Sequence, residues 1–328
     1  MKTEPRNAKT LFRSDAMQRI MAFSALIVLF IGFSIASPYF RTFDNFVGIL
    51  LATAVNGVLA LGATFVIITA GIDLSVGTVM TFSAVLTGVF ITNWGLPIPV
   101  GILGGILAGS LAGLINGVLI SRMKIPPFIA TLGMLYATKG LSLVISELKP
   151  IYFNDTPMFR EMAMGSVLGK IIPGLEVPNA VFILFGAAFI AHIILSRTIL
   201  GRYTFALGSN EEATRLSGVN VASWKTAVYT LAGMFSGIGG VLMASRLNSA
   251  QPALGAGYEL DAIAAVVIGG TSLSGGEGSI LGTIIGAFII STLTNGLRIL
   301  SVPQEWQMVV TGAIVILAVF LDILRRRR

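Results

Sequence analysis

Apolar residues in this chain gather into long unbroken runs, not into the period-2 or period-3.6 stripes of a soluble fold. The runs cover residues 20–37, 46–69, 74–92, 98–121, 128–146, 179–196, 224–245, 260–270, 280–297 and 306–324. A helix rising ~1.5 Å per residue needs about 20 apolar residues to cross a hydrocarbon layer of ~30 Å. The pattern therefore predicts an all-α polytopic membrane protein with about ten transmembrane helices. The eighth run is short and flanked by glycine, so it is either a span or a broken, re-entrant helix. The latter survives at membrane depth only where protein or a water-filled cavity covers its free backbone groups. Both forms imply a transport path.

Polar residues divide the chain further. Residues 1–19 form a basic N-terminal segment, 20–324 one transmembrane domain, and 325–328 a basic tail. Within the domain, 147–178 is the longest polar loop and 197–223 is a second, charged one. A signal peptide competes for the first run, because Ser34, Ile35 and Ala36 read small-x-small. It is taken as a span because the topology of the rest requires it. Lys and Arg favour the cytoplasmic side in short loops. Arg122 and Lys124, then Arg197, Arg202, Arg215 and Lys225, and finally Arg325 to Arg328 all fall on one side if both termini are inside. The loop 147–178 is then external and 197–223 cytoplasmic.

Composition narrows the chemistry. The chain is 55% hydrophobic and 11% charged, with mean hydropathy +0.88. The net charge of +7 sits at the chain ends, not on a face, which argues against nucleic acid as a partner. With no cysteine and a single histidine, His192, the chain offers no thiol nucleophile, no disulfide and no histidine-cluster metal site. No Walker A pattern occurs, so any ATP used is hydrolysed on another chain. Catalytic, cofactor and metal residues are expected to be absent, and the chain is not expected to be an enzyme.

Glycine is abundant, at 38 residues. Gly101/Gly105, Gly105/Gly109 and Gly109/Gly113 have the spacing that lets helix backbones approach closely. Gly71 to Gly77 and Gly270 to Gly276 share the pattern Gly-x-[Asp/Ser]-Leu-Ser-x-Gly, an echo compatible with duplication but too short to establish it. Asn56, Asn116 and Asn295, each before a glycine in an apolar helix, are candidates for interhelical hydrogen bonds. Lys139 can snorkel outward toward Glu147.

The stretch Gly208 to Asn220 is short, charged and helix-like. Ser209 and Glu212 have the spacing of a capping box that would start a helix at Asn210, and Gly218 is a suitable stop. Ala213, Leu216 and Val219 form a narrow apolar stripe with Glu211, Glu212 and Arg215 around it. About two turns of helix are marginal alone in water, so this one must pack against something.

Four segments carry a resemblance: Thr69 to Gly77 (TAGIDLSVG), Phe128 to Leu141, Gly201 to Val221, and Gly257 to Thr283 (GYELDAIAAVVIGGTSLSGGEGSILGT). In this order, and over residues 37–322, the chain resembles the permease subunits of bacterial ribose-type ABC sugar importers. The resemblance implies an inner-membrane subunit working with a second permease copy, as a homodimer or a related heterodimer. It also implies a cytoplasmic ABC ATPase that binds ATP and Mg, a periplasmic sugar-binding protein, and surrounding membrane lipid. The cargo it implies is a ribose-like pentose, a hexose or a related small sugar or polyol.

On that basis Asn210, Glu211, Glu212, Ala213, Arg215, Leu216, Ser217 and Gly218 are expected to form a coupling helix. Leu216 is its apolar anchor, and Glu211 and Arg215 set its orientation through charged contacts. Glu212 stands where the family often has alanine. The translocation path is expected to involve Asp73, Asn248, Gln251, Tyr258, Glu259 and Asp261, which supply the carboxylate, amide and aromatic groups that sugars use. For Asp73 a helix-capping role is preferred to sugar contact. A secondary, ion-coupled sugar transporter is the competing class. It needs intramembrane carboxylates or histidines, for which Asp73 and Asp261 are the candidates.

Overall fold

The computed structural model describes residues 15–326, so most of the basic N-terminal segment and the last two arginines lie outside the described residues. Helix α1 (Asp15–Ala36) starts five residues before the first apolar run and leads, through a 3-10 turn at Pro38–Arg41, into α2 (Phe43–Ile68). Thr42 caps α2 by accepting from the Asn45 N–H. Helix α3 (Val76–Gly88) continues as a π-helical turn to Asn93 and is followed by α4 (Ile98–Ser121) and α5 (Pro127–Ile145), both entered through proline. The long polar loop holds strand β1 (Ile151–Tyr152) and the short helices α6 (Pro157–Met164) and α7 (Val167–Ile171). Then come α8 (Asn179–Arg197), α9 (Ile199–Ser209), α10 (Glu211–Leu216) and α11 (Val221–Leu247). Strand β2 (Ser249–Ala250) pairs antiparallel with β1, and α12 (Tyr258–Ile268), α13 (Ile280–Ile299) and α14 (Gln304–Arg326) complete the chain.

The protein is an all-α polytopic membrane protein. Seven helices among the described residues are long and apolar enough to cross a bilayer: α2, α3 with its π turn, α4, α5, α8, α11 and α13. Helix α1 has a shorter apolar part, Ile20–Ala36. Helix α12, with 11 residues, rises only about 16 Å and does not reach across ~30 Å. The short eighth run is thus a half-helix. The segment before it explains how the depth is made up: Ala250 lies by Gly88, the Thr81 hydroxyl donates to the Leu254 carbonyl at 2.8 Å, and Gly255 packs on Gly77. Residues 250–255 therefore run along α3, from its C-terminal end toward its start, through a turn in which the Leu254 N–H donates to Gln251 O, and α12 resumes from there.

Helix α2 is the centre of the bundle and is buried along almost its entire length, against α8, α11, α12 and α13. Helices α4, α5 and α8 expose most of their surface, including Leu103, Leu107, Leu111, Phe185 and Phe189. Lipid tails are as apolar as these side chains, so water exclusion does not hold the helices together. Close backbone packing does. A Cβ placed on Gly233 would lie 2.8 Å from the Gly113 Cα, one on Gly237 would lie 2.8 Å from the Ile106 Cα, and one on Gly117 would lie 2.7 Å from the Thr226 Cα. The predicted glycine spacing thus makes a seam between α4 and α11. Gly101 and Gly105 instead accept Ile91 and Thr87 of the α3 segment.

The two echoed glycine motifs also acquire a meaning. Helix α2 ends with the Ala70 N–H on Ile67 O and the Gly71 N–H on Val66 O; α12 ends with Gly270 on Val267 and Thr271 on Val266. Ala70 and Gly270 are both left-handed, at φ 58° and 93°. These are matching Schellman ends. The structural register differs by one from the sequence echo, because Ala70, not Gly71, corresponds to Gly270.

Replacing Gly233 by leucine would force α4 and α11 apart, at a cost of about 1–3 kcal/mol or more. Thermal denaturation of the detergent-purified protein, followed by size-exclusion chromatography, is expected to show a clearly lowered midpoint. Gly133→Leu, on the open face of α5, is expected to leave it unchanged; equal midpoints for both variants would contradict the seam.

Candidate functional site

Helix α10 lies where the sequence places it, but it starts differently. Its cap is Asn210, whose Oδ1 accepts from the Ala213 N–H at 2.9 Å; Ser209 is the last residue of α9 and makes no capping box. Asparagine wins because it sits at the extended residue between the two helices, φ −163°, where its short amide reaches the third residue on. At the other end Ser217 closes the helix and Gly218 turns at φ +83°. Glycine is needed there because other residues rarely adopt that conformation.

The buried side of α10 is Thr214, whose hydroxyl donates to the Ala206 carbonyl at 3.0 Å. The expected stripe of Ala213 and Leu216 faces outward, and Leu216 is 78% exposed. Beside it, Tyr203 and Ala206 of α9 and Asn210, Ala213 and Ser217 of α10 line a cleft of about 390 Å³. The charges expected to orient this helix against another protein are answered within the chain. Arg215 pairs with Glu212 at 2.6 Å, and Lys225 at the start of α11 pairs with Glu211. Hydrogen bonding to Glu212 and its negative charge raise the already high pKa of Arg215. Glu212, the departure from the resembled pattern, thus has a defined local partner. Tyr203 on α9 packs against Trp224 on α11, with ring centroids 4.9 Å apart.

Just before α10, three segments meet backbone to backbone. A Cβ on Gly208 would fall inside the Ile68 carbonyl oxygen and 2.5 Å from the Gly276 nitrogen, and the Gly276 N–H donates to that same carbonyl at 2.9 Å. Gly275 lies against Ala70, and Gly276 against Ser209. The end of α2, the end of α9 and the loop 269–279 are therefore one node. Sequence reasoning missed Gly208 and Gly276; their glycines stood in quoted motifs, but only the fold shows what approaches them.

The residues expected on a translocation path are spread along the re-entrant segment. Asn248 closes α11 in a left-handed conformation, φ 52°, and its amide reaches Asn154 at 3.4 Å. The Gln251 amide donates to the Ser249 hydroxyl at 3.0 Å. These two stay near the β1–β2 strand pair. Tyr258, Glu259 and Asp261 instead lie in the first turn of α12, where Glu259 turns back to accept from the Gly257 N–H at 3.0 Å. A Cβ on Gly77 would lie 2.7 Å from a Glu259 carboxylate oxygen, which places Glu259 alongside the start of α3.

Asp73 is buried close to that start. Its Oδ1 accepts from the Ser75 N–H at 2.8 Å and from the Ser75 hydroxyl at 2.6 Å. The expected cap is corrected in detail: Asp73 fixes the turn before α3 and does not bond the first N–H groups of the helix itself. The network continues outward, since Asn116 of α4 donates to the Ser75 hydroxyl at 3.0 Å and the Thr138 hydroxyl of α5 donates to that of Thr78 at 2.9 Å. Asn116 thus makes the expected interhelical bond, worth ~0.6–2 kcal/mol. Among the described residues the Asn295 Oδ1 finds no partner. Lys139 and Glu147 are both exposed and form no ion pair among the described residues. Among the described residues no group of three or more His, Cys, Asp or Glu side chains could hold a metal.

Comparison with known proteins adds an independent finding. Residues 45–319 match the family described as branched-chain amino acid transport system / permease component. The ribose import permease protein of Bacillus subtilis (strain 168) is 45% identical over 98% of both chains. The fructose import permease protein of Rhizobium meliloti is 35% identical, covering 90% of this chain and 82% of its own. The L-arabinose transport system permease protein of Escherichia coli (strain K12) is 39% identical, covering 90% and 87%. No solved structure matches.

Asparagine at position 73 retains the oxygen that accepts from Ser75, whereas alanine loses both hydrogen bonds, at about 1–2 kcal/mol. Asp73→Asn is expected to fold and transport within about twofold of wild type, and Asp73→Ala to melt earlier. Loss of solute uptake by a well-folded, membrane-inserted Asp73→Asn protein would assign the carboxylate to the path instead.

Proposed function

The chain belongs to the branched-chain amino acid transport system / permease component family, and on that premise we propose that it is the membrane permease of an ATP-binding cassette importer for a monosaccharide. The observation that carries this reading is the 45% identity to a ribose import permease over 98% of both chains. The family's printed description names amino acids, but the relatives that align along the chain are named for ribose, fructose and arabinose. The cargo is accordingly a ribose-like pentose, a hexose or a related small sugar. The chain is a transport subunit, not an enzyme, and separate ATPase subunits that bind ATP and Mg supply the energy.

In this reading α1 and α14 also cross the inner membrane. With the half-helix α12 and the seven long helices they make up the ten membrane segments of one domain, residues 20–324. Both termini and the loop 197–223 are cytoplasmic, which agrees with the distribution of Lys and Arg. The β1–β2 strand pair and the loop 147–178 face the periplasm and a sugar-binding protein. Helix α10 is the coupling helix: it projects Leu216 as a knob beside its cleft, for a groove on the ATPase. A second permease copy completes the path, and the exposed faces of α4 and α8 meet lipid.

The re-entrant segment and the first turn of α12, with Gln251, Tyr258, Glu259 and Asp261, line the path. Alternating exposure of such a segment, driven from below, moves the sugar. The competing ion-coupled carrier is not favoured, because Asp73, one of its two candidate carboxylates, is committed to the turn at Ser75.

Purification from native membranes through a tag on this chain is expected to retain an ATPase subunit, and Leu216→Asp to lose it together with sugar uptake. Flux of sugar by the purified chain alone in liposomes, without ATP, would establish the ion-coupled carrier instead.

A further inference from the structure

We propose that the loop 269–279 carries movement of α10 into α12, so that Gly208, Ser209, Gly275 and Gly276 are positioning residues for transport. The inference rests on reading α10 as the coupling helix and concerns what lies behind it. The node at Gly208 leaves no room for side chains: the α9 backbone, the Ile68 carbonyl and the Gly276 N–H are in direct contact. Contacts between backbones pass displacement on with little slack, because no side-chain rotamer can absorb it.

The loop behaves as a body. Ser272 N–H donates to Glu277 O at 3.2 Å, Gly275 N–H to Ser272 O at 3.0 Å and Ser274 N–H to the Ser272 hydroxyl at 3.3 Å. It is also the direct continuation of α12, which ends at Gly269 and Gly270. A push on α10 therefore reaches α12 at its C-terminal end.

Helix α12 is built to respond. Its other end follows Gly255 and Gly257, at φ +99° and +95°, a pair of turns about which the segment along α3 and the helix can pivot separately. Along its side its backbone lies directly on that of α13, Gly269 against Gly282 and Ala265 against Gly286, so α13 shares any displacement that α12 receives. The pivoting end bears Tyr258, Glu259 and Asp261, with Glu259 against Gly77. Displacement at the node thus becomes a change in the path about one half-helix away, without any side chain of the path touching the coupling surface.

Two experiments separate this relay from the docking of α10. Gly208→Ala inserts a methyl at the node and leaves the outer face of α10 intact. Cells carrying it are expected to lose sugar uptake at least roughly tenfold, while the purified chain still retains the ATPase, and that ATPase hydrolyses about tenfold more ATP per sugar moved. Gly133→Ala, in open space, is the control and is expected to match wild type. Wild-type uptake by Gly208→Ala, or loss of the ATPase along with uptake, overturns the relay; failure of the wild-type chain to retain an ATPase speaks against the coupling reading alone.

The second experiment needs no ATPase measurement and holds even if Gly208→Ala fails to fold. In a chain without cysteine, Ser209→Cys with Gly276→Cys can form only one intramolecular bridge. If loop and helix move as a unit, the oxidised protein keeps uptake within about twofold of its reduced form. A bridge that forms and stops transport, or no bridge in native membranes, overturns the proposal.

Discussion

The fold depends on how closely two backbones can approach inside a lipid-like medium. Water exclusion gives no force between helices that lipid would solvate equally well, so dispersion over a close fit has to supply it. The seam between α4 and α11 does this with glycine on both sides, Gly109 and Gly113 against Gly233 and Gly237. With α11 fixed, the α3 segment is held against both helices, and α2 is enclosed. That enclosure is what permits non-helical backbone at depth. The stretch from Ser249 to Gly257 would be untenable facing lipid, but beside α3 it finds the Thr81 hydroxyl and a glycine surface.

The same use of small residues joins the two ends of the machine. At the seam, glycine creates a static fit; at the node of Gly208, Ile68 and Gly276, it lets three chain segments share one point. Between them lies a polar network built on Asp73, Ser75 and Asn116 that fixes the turn into α3. An α3 with a fixed start gives residues 250–255 a surface to lie along. Parts held by polar bonds thus alternate through the bundle with parts bounded by left-handed glycines.

Much of this is legible in the sequence. Helix positions follow from apolar runs, because residues 98–121 or 280–297 have no other way to satisfy their backbone in a membrane. The shortness of the eighth run is also visible, but it is compatible with both a span and a broken helix, and only the 11-residue length of α12 decides for the half-helix. Less legible are the ends and the contacts. Ser209 and Glu212 have the spacing of a capping box, yet Asn210 makes the cap, since α9 extends to Ser209 and consumes it. Ala213 and Leu216 look like a stripe that packs, but the site that is buried is Thr214, chosen by the approach of Ala206 in the preceding helix. Asn248 and Glu259 look like one cluster in sequence, and the connection between them, running along α3 from Gly88 to Gly77, puts them at different depths. In each case the deciding partner comes from an element whose position local spacing does not encode.

The two ion pairs around α10 bear on how this surface meets other molecules. Glu211 is answered by Lys225 and Glu212 by Arg215, so the carboxylates of the helix are neutralised before any partner arrives. What is left over in residues 197–225 is positive, since Arg197 and Arg202 face no further carboxylate in that stretch, and both are exposed. The surface around α10 therefore attracts acidic groups over the ~8 Å at which charge is felt at physiological ionic strength. Added salt weakens that attraction and leaves the short-range shape of the helix unchanged.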